Sequence, residues 1–319
     1  MLLAAATLAV GIACLFAGGH ALVSGGSQLG LRLKLSPLFI GLTVVACGTS
    51  LPELVVSVLA GLRGESDIAV GTVVGSNIAN LGLVLGSAAL VSPLYLRTMS
   101  VGRDLGISIV ATLAVGGLIL NRELGRIEGT LLMTALVLYL AWLYRRAQVR
   151  GMVIAGSVLG TVPGTPSLVK SLALMLGGLV FLYLGAQWAV DGAVEIADLA
   201  GFSRAVVGLT IVAVGTSLPE FATSVVAALR KEAAISIGNV LGSNIFNLFG
   251  ILGFSAAARP LAVAGDILRY DLPVALALSV LCFPIIISGR RVSRGEGLLL
   301  ISFYASYCVW LFFVRVPPA

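Results

Sequence analysis

The chain has 319 residues, of which 59% are hydrophobic and only 11% charged, and its mean hydropathy is +1.09. Soluble domains carry about a quarter charged residues, so this composition excludes the ordinary soluble classes and indicates that the bilayer is the main solvent. The net charge of +6 does not indicate a nucleic-acid partner, because the basic residues are scattered singly or in pairs between apolar stretches. We expect membrane lipid around this protein, no nucleic acid and no obligatory protein partner.

Ten apolar stretches follow one another along the chain, each long enough to cross a hydrocarbon core of about 30 Å as a helix. They lie at 2–28, 37–61, 68–93, 100–120, 125–144, 169–197, 203–229, 233–257, 270–288 and 297–315. No basic residue precedes the first stretch, which favours a membrane span over a signal peptide. The sequence therefore predicts an all-α polytopic membrane protein with ten transmembrane helices.

The loop charges predict how these helices are oriented. When the loops are assigned alternately to two sides, most of the 20 Lys and Arg residues fall on one side. The positive-inside bias places that side in the cytoplasm and both chain termini outside. We expect a multi-pass protein of the cell membrane.

The two halves of the sequence repeat each other at an offset of 167 residues. More than half of the paired residues are identical between 36–86 and 203–253, and GTSLPE occurs at both 48–53 and 215–220. The domains are then a first five-helix repeat at 1–145, a cytoplasmic linker at 146–167 and a second repeat at 168–319. Because five is odd, the second repeat enters the membrane inverted, which is the architecture of secondary transporters with a midplane site.

Two glutamates lie far from any predicted span end. Glu53 and Glu220 fall near the middle of the second and seventh spans, at matching positions of the repeat. A charge at membrane depth costs at least about 2.5 kcal/mol and is normally retained for a functional reason. A neutral glutamate satisfied by hydrogen bonds would also be tolerated there, but it would have to occur twice at symmetric positions. We predict that the two carboxylates bind cations.

Each glutamate ends a helical stripe of oxygen-bearing residues with i, i+3, i+4, i+7 spacing. The stripes are Ala46, Thr49, Ser50 and Glu53 in the first half, and Ala213, Thr216, Ser217 and Glu220 in the second. Pro52 and Pro219 predict a kink in each helix, and broken backbone at membrane depth is tolerated where it lines a cavity. A proline kink beside Ser and Thr also occurs in membrane helices that bind nothing.

A second motif, GSNIAN at 75–80 and GSNIFN at 242–247, adds hydroxyl and amide oxygens to the third and eighth spans. Within each motif the serine and the last asparagine are four residues apart on one helix face, and these residues are Ser76, Asn80, Ser243 and Asn247. Kinked helices 2, 3, 7 and 8 are therefore expected to form the ion-binding core. Carboxylate, hydroxyl, amide and carbonyl oxygens suit hard cations such as Ca²⁺ and Na⁺. The single histidine, His20, has no second imidazole nearby in the sequence, so a zinc site is not expected.

GTSLPE followed by GSNIxN in both halves closely resembles the alpha repeats of the Na⁺/Ca²⁺ exchanger branch of the cation/Ca²⁺ exchanger superfamily, in its prokaryotic form. The resemblance covers nearly the whole chain. It implies antiport of Na⁺ and Ca²⁺ by alternating access, without a cofactor or enzymatic activity, as the first and sixth helices slide against the other helices. The ion-binding roles that it implies fall on Ala46, Thr49, Ser50, Glu53, Ser76, Asn80, Ala213, Thr216, Ser217, Glu220, Ser243 and Asn247.

One departure bears on the coupling ion. Potassium-dependent members of the superfamily and some prokaryotic exchangers have Asp where this chain has Asn247, which disfavours K⁺ dependence. Exchange of H⁺ for Ca²⁺ stays open, although the proton-coupled branch has a different motif around its glutamate. Inverted repeats also occur in channels, so a cation channel stays an alternative. A membrane enzyme could use Glu53 and Glu220 as an acid/base pair. The sequence contains no GxSxG, HExxH or phosphate loop to support the enzyme.

Overall fold

The computed structural model describes residues 1–95, 101–157, 167–200, 213–288 and 291–311. These parts of the chain are mostly helical. In chain order the helices are α1 (Leu2–Leu33), α2 (Pro37–Thr49), α3 (Leu51–Arg63), α4 (Ser66–Val91), α5 (Val101–Leu118), α6 (Arg126–Ser157), α7 (Leu168–Leu199), α8 (Ala213–Gly215), α9 (Leu218–Leu229), α10 (Ala233–Ala258), α11 (Ile267–Ile287) and α12 (Arg294–Trp310).

Seven of these helices are long and apolar enough to cross a membrane, and the count is eight if the bent pair α2 and α3 forms one span. The seventh predicted span, 203–229, begins in residues outside the described part of the chain. The tenth, 297–315, corresponds to α12, which has 17 residues and is followed by residues that the structure does not describe. The chain is thus a multi-pass helical membrane protein, while the full set of ten spans stays a prediction.

The second predicted span breaks at Ser50, where α2 and α3 meet at an angle of 47°. Ser50 has φ −84° and ψ 9°, and Pro52 lies in the first turn of α3, where its missing N–H leaves no hydrogen bond unmade. The second repeat has the same break, since Ser217 has φ −88° and ψ 4° and Pro219 lies in the first turn of α9. The proline kinks predicted from the sequence are therefore complete helix breaks.

The third and eighth predicted spans differ from this pattern. α4 and α10 run as single helices, and each contains a π-helical stretch, at Asn80–Val84 and Phe246–Ile251. Within the most apolar 18-residue window of each helix, the buried share is 72% in α4 and 78% in α10. It is only 28% in α1 and in α7. α4 and α10 therefore form the centre of the molecule, whereas α1 and α7 lie at its periphery.

Two short antiparallel ladders join the halves of the chain. β1 (Leu94–Tyr95) pairs with β4 (Arg291–Val292), and β2 (Glu123–Leu124) pairs with β3 (Leu261–Ala262). Each ladder has one strand from each half. Since the two pairings correspond under the sequence repeat, the halves are tied together twice in the same way.

α1 and α7 pack closely along their length through small residues spaced seven apart. A Cβ added to Gly18 would lie 2.7 Å from the carbonyl oxygen of Gly178, and one added to Gly178 would lie 2.6 Å from the backbone nitrogen of Leu22. Gly11 meets Gly185 and Ala189 in the same manner. Such backbone approach is typical of membrane helices with small residues at the interface.

A polar cluster holds α1 against the end of α9. The Arg230 side chain contacts the His20 ring at 3.2 Å and donates to Ser24, while Ser27 donates to Glu232. Arg230 and Glu232 also form an ion pair at 3.4 Å. His20 is thus a helix-interface residue.

α6 extends further than expected, because residues 146–157 of the predicted linker continue it as helix. Gly151 and Gly156 lower helix propensity but do not end a helix that is continuous with a span. Pro163 and Pro166 lie outside the described residues.

Candidate functional site

The two glutamates of the GTSLPE motifs lie at the start of a helix, directly after the break. Glu53 is in the first turn of α3 and Glu220 in the first turn of α9, and both are 1% exposed. The amino end of a helix carries a partial positive charge, so this position favours a carboxylate. Ser50, three residues before Glu53, contacts the carboxylate of Glu220. The break thus brings two buried carboxylates from different halves of the chain into one place.

Ser50 connects the two halves directly. Its hydroxyl donates to Glu220 Oε1 at 2.8 Å. Ser217, at the matching position, lies next to Glu53, but its hydroxyl makes no hydrogen bond within the described part of the chain. Each serine at a helix break therefore faces the glutamate of the other half.

Thr49 is positioned by Asn239, which has no counterpart in the repeated motifs. Its hydroxyl lies 3.1 Å from Asn239 Oδ1, and the Asn239 amide nitrogen lies 2.9 Å from Ser224 Oγ and 3.3 Å from the Glu220 carbonyl oxygen. The residue that corresponds to Asn239 in the first half is Thr72, which has no amide to make these contacts. The site is therefore not symmetric around Thr49.

Four asparagines at the crossing of α4 and α10 form a closed hydrogen-bonded group. Asn77 and Asn244 each donate to the other's backbone carbonyl, at 3.2 and 3.3 Å. Asn80 donates to Asn244 Oδ1 at 3.1 Å, and Asn247 donates to Asn77 Oδ1 at 3.0 Å. All four side chains are buried. This arrangement leaves Asn80 and Asn247 with their oxygens as the groups still free to accept.

The close approach of α10 to α2 brings a further serine and a backbone carbonyl to the site. A Cβ on Gly242 would lie 2.5 Å from the carbonyl oxygen of Leu42, so only glycine fits there without a shift. Next to it, the Ser243 hydroxyl lies 3.5 Å from the Ala46 carbonyl oxygen. Ser76 accepts from Asn247 at 3.0 Å, which joins the α4 side of the crossing to α10.

Of the twelve residues predicted for the site, ten are buried in this region: Ala46, Thr49, Ser50, Glu53, Ser76, Asn80, Ser217, Glu220, Ser243 and Asn247. Thr216 is half-buried at the second helix break. Ala213 begins the short helix α8, just before that break. Neighbouring polar residues outside the predicted set are Asn77, Asn239, Asn244, Thr223 and Ser224, which are also buried.

Many oxygens of this site have no hydrogen-bond donor among the described residues. They are both carboxylate oxygens of Glu53, Oε2 of Glu220, Oδ1 of Asn80 and of Asn247, and the hydroxyls of Ser217 and Thr223. Buried acceptors normally have a partner, because an unpaired one costs about 1–3 kcal/mol. A hard cation satisfies carboxylate, amide and hydroxyl oxygens together. Among the described residues, no group of three or more His, Cys, Asp and Glu could hold a metal ion, so such a cation would rest largely on neutral oxygens.

Two further buried acids were missed in the sequence, where Glu53 and Glu220 alone stood out. In α5, Asp104 Oδ1 lies 3.7 Å from Arg146 Nη1. In α11, Asp271 Oδ1 accepts a hydrogen bond from the Tyr307 hydroxyl at 2.9 Å. They occupy matching positions of the repeat, near helix ends. Asp104 forms an ion pair with α6 and Asp271 accepts a hydrogen bond from α12, so the two acids connect helices rather than extend the site.

The sequence model of the sodium/calcium exchanger protein family matches residues 3–145 and 170–313. The inner membrane protein YrbG of Escherichia coli is 35% identical over 318 residues, covering 98% of this chain and 96% of YrbG. The sodium/calcium exchanger MaX1 of Methanosarcina acetivorans is 33% identical, covering 96% of this chain and 98% of MaX1. A solved structure of the sodium-calcium exchanger NCX_Mj superimposes with a TM-score of 0.84 at 29% identity, covering 98% of this chain and all of NCX_Mj.

Both halves of the chain fall within the matched family region, and the solved exchanger has the same fold from end to end. The family consists of exchangers, so the chain is a cation/Ca²⁺ antiporter and not an enzyme. On these grounds the chain belongs to the sodium/calcium exchanger family.

Proposed function

We propose that this protein exchanges Na⁺ for Ca²⁺ across the cell membrane, with Glu53 and Glu220 as the central cation-binding carboxylates. The observation that carries the proposal is the set of buried, donor-free oxygens around the two glutamates. MaX1 and NCX_Mj, which this chain resembles over nearly their whole length, are both named sodium/calcium exchangers. The remaining ligands are the other ten residues of the predicted set.

The charge of the site explains why Ca²⁺ and Na⁺ would compete for it. Glu53 and Glu220 supply two negative charges, and the asparagines at positions 80 and 247 supply none. One Ca²⁺ neutralises both carboxylates, and Na⁺ ions on the same oxygens do so in its place. Without a cation, the two buried carboxylates repel each other strongly. A site loaded with Ca²⁺ or with Na⁺ is therefore favoured over an empty site.

The proposed architecture is ten transmembrane helices in two inverted five-helix repeats, 1–145 and 168–319, joined by the cytoplasmic segment 146–167. The helix breaks at Ser50 and Ser217, and the ladders between β1 and β4 and between β2 and β3, follow this symmetry. Inverted repeats suit alternating access, because exchanging the conformations of the two repeats exchanges the open side. Both termini then lie outside the cell.

Alternating access requires that part of the molecule moves past the glutamates. In their most apolar parts α1 and α7 are each only 28% buried, and they pack tightly on each other. A second apolar cluster lies between this pair and helices α2 and α9, and it includes Leu22, Val45, Leu182 and Val226. We propose that α1 and α7 slide together over this apolar contact, which breaks the polar contacts of α1 with Arg230 and Glu232 at the end of α9.

The test is Ca²⁺ flux in proteoliposomes, with Na⁺, K⁺ and H⁺ gradients imposed one at a time. An outward Na⁺ gradient should drive Ca²⁺ uptake against the Ca²⁺ gradient, and K⁺ should have no effect. Uptake that follows the pH gradient and ignores Na⁺ would identify an H⁺/Ca²⁺ antiporter instead. Flux that only runs down the Ca²⁺ gradient, without a counter-ion, would identify a channel.

A further inference from the structure

Asn77 and Asn244 lie beside the proposed ligands, and the amide groups of their side chains are hydrogen-bonded to the protein itself. Each amide nitrogen donates to the backbone carbonyl of the other asparagine, at 3.2 and 3.3 Å. Each side-chain oxygen accepts from the last asparagine of the opposite repeat, Asn247 or Asn80. We call this reciprocal pair the amide brace. Since its oxygens are already occupied by amide donors, the brace is poorly placed to bind a cation itself.

The brace decides which atom of Asn80 and Asn247 is available to an ion. An amide group carries its oxygen and its nitrogen on opposite sides, so fixing one fixes the other. Asn80 directs its nitrogen to Asn244 Oδ1, and Asn247 directs its nitrogen to Asn77 Oδ1 and Ser76 Oγ. The oxygens of Asn80 and Asn247 are left buried without a donor among the described residues.

We infer that Asn77 and Asn244 are positioning residues for ion binding, which hold the amide oxygens of Asn247 and Asn80, respectively, toward the cation. This inference rests on the proposed function of the same site. Without the brace, either amide could rotate by half a turn and present its N–H₂ group, which repels a cation. The pairing is crossed between the repeats: Asn77 serves Asn247, and Asn244 serves Asn80.

The crossing allows a double-mutant test on the full-length protein. Asn77→Ala leaves the Asn247 amide with Ser76 alone, whose hydroxyl can accept from the nitrogen or donate to the oxygen, so the amide is no longer fixed in one orientation. Ca²⁺ binding should weaken about 10- to 100-fold, as for other residues that orient metal ligands. In an Asn247→Asp background the same substitution should cause no loss, because a carboxylate presents an oxygen in either orientation. Ca²⁺ binding by the purified protein is measured by isothermal titration calorimetry.

Asn244→Ala in the Asn247→Asp background is the matched control. It should keep its full effect there, since Asn244 orients Asn80 and not residue 247. In proteoliposomes, Asn77→Ala should raise the KM for Ca²⁺ much more than it lowers the maximal rate. If Asn77→Ala does not yield folded protein, Asn77→Ser makes the same comparison, because its shorter side chain does not reach both partners.

Equal losses from Asn77→Ala in both backgrounds would overturn the inference, because the pair would then only support the helix crossing. Unchanged Ca²⁺ affinity in Asn77→Ala would overturn it as well. Absence of Ca²⁺ binding by the unsubstituted protein would instead overturn the proposed function on which the inference rests. The failures of the two proposals are therefore distinguishable in the same titration.

Discussion

Glu53 and Glu220 occupy the same place in their helices, but their hydrogen-bonding environments differ. Glu220 accepts from Ser50, whereas neither carboxylate oxygen of Glu53 has a hydrogen-bond donor in the described part of the chain. A buried carboxylate without donors depends on a cation for its stabilisation. Glu53 is therefore expected to depend more on the bound ion than Glu220 does.

Removal of either carboxylate charge tests the assignment of the site. Glu53→Gln or Glu220→Gln should abolish exchange and weaken Ca²⁺ binding at least about 100-fold, because a contact between unit charges is worth about 4 kcal/mol even at an effective dielectric constant of 20. The ion-free protein should keep its thermal stability or gain some, since the repulsion between the carboxylates is removed. Flux assays and thermal unfolding in detergent measure the two effects.

Glu123→Gln is the control for these substitutions, since Glu123 is exposed in β2 and far in sequence from both motifs. It should transport like the unsubstituted protein. Full exchange activity in either Glu53→Gln or Glu220→Gln would rule out the assignment of the site.

Sequence spacing predicted most of the residues around the glutamates and missed those that act across the repeats. Ser76 and Asn80 are found by i, i+4 spacing, but Asn77 lies three residues before Asn80, so spacing alone does not separate a ligand from a residue that contacts the crossing helix. Asn77 matters because α4 crosses α10 there, and no pattern within one helix reports a crossing partner. Asn239 was missed for a different reason, since Thr72 takes its place in the first repeat and the internal comparison gives no signal.

The close packing of α1 and α7 can be tested by a substitution that adds one methyl group at their contact. Gly178 lies against the α1 backbone, because a Cβ added to it would lie 2.6 Å from the backbone nitrogen of Leu22. A Cβ added to Gly177 would have no neighbour within 4 Å among the described residues. Gly178→Ala should destabilise the protein by about 1–3 kcal/mol, the usual cost of overpacking, because backbone cannot move aside as a side chain can.

Gly177→Ala is a matched control, because it adds the same methyl group one residue away and has the same effect on helix propensity. It should leave the thermal unfolding midpoint in detergent unchanged or slightly raised, whereas Gly178→Ala should lower it by several degrees. Equal midpoints for the two variants would show that the helices do not pack through Gly178.

The length of the apolar stretches predicted where most helices lie. It predicted the positions where helices break less well. Pro52 and Pro219 indicated kinks, but the structure has complete breaks, because each proline starts a new helix after Ser50 or Ser217. The π-helical stretches of α4 and α10 have no comparable sequence signal. Nor did the apolar pattern show that α6 continues to Ser157, because helical structure can outlast the hydrophobic segment.

For the molecule as a whole, the distribution of Lys and Arg predicts orientation, and that prediction can be tested directly. With ten spans and the positive-inside bias, the C-terminal end lies outside and the segment 146–167 lies in the cytoplasm. In a variant with its four native cysteines replaced, Ala319→Cys should react with a membrane-impermeant maleimide on intact cells. Thr165→Cys should react only after the membrane is opened, because it lies in the predicted linker. The two positions serve as each other's controls, and labelling of both or of neither on intact cells would contradict the odd number of spans per repeat from which the inversion follows.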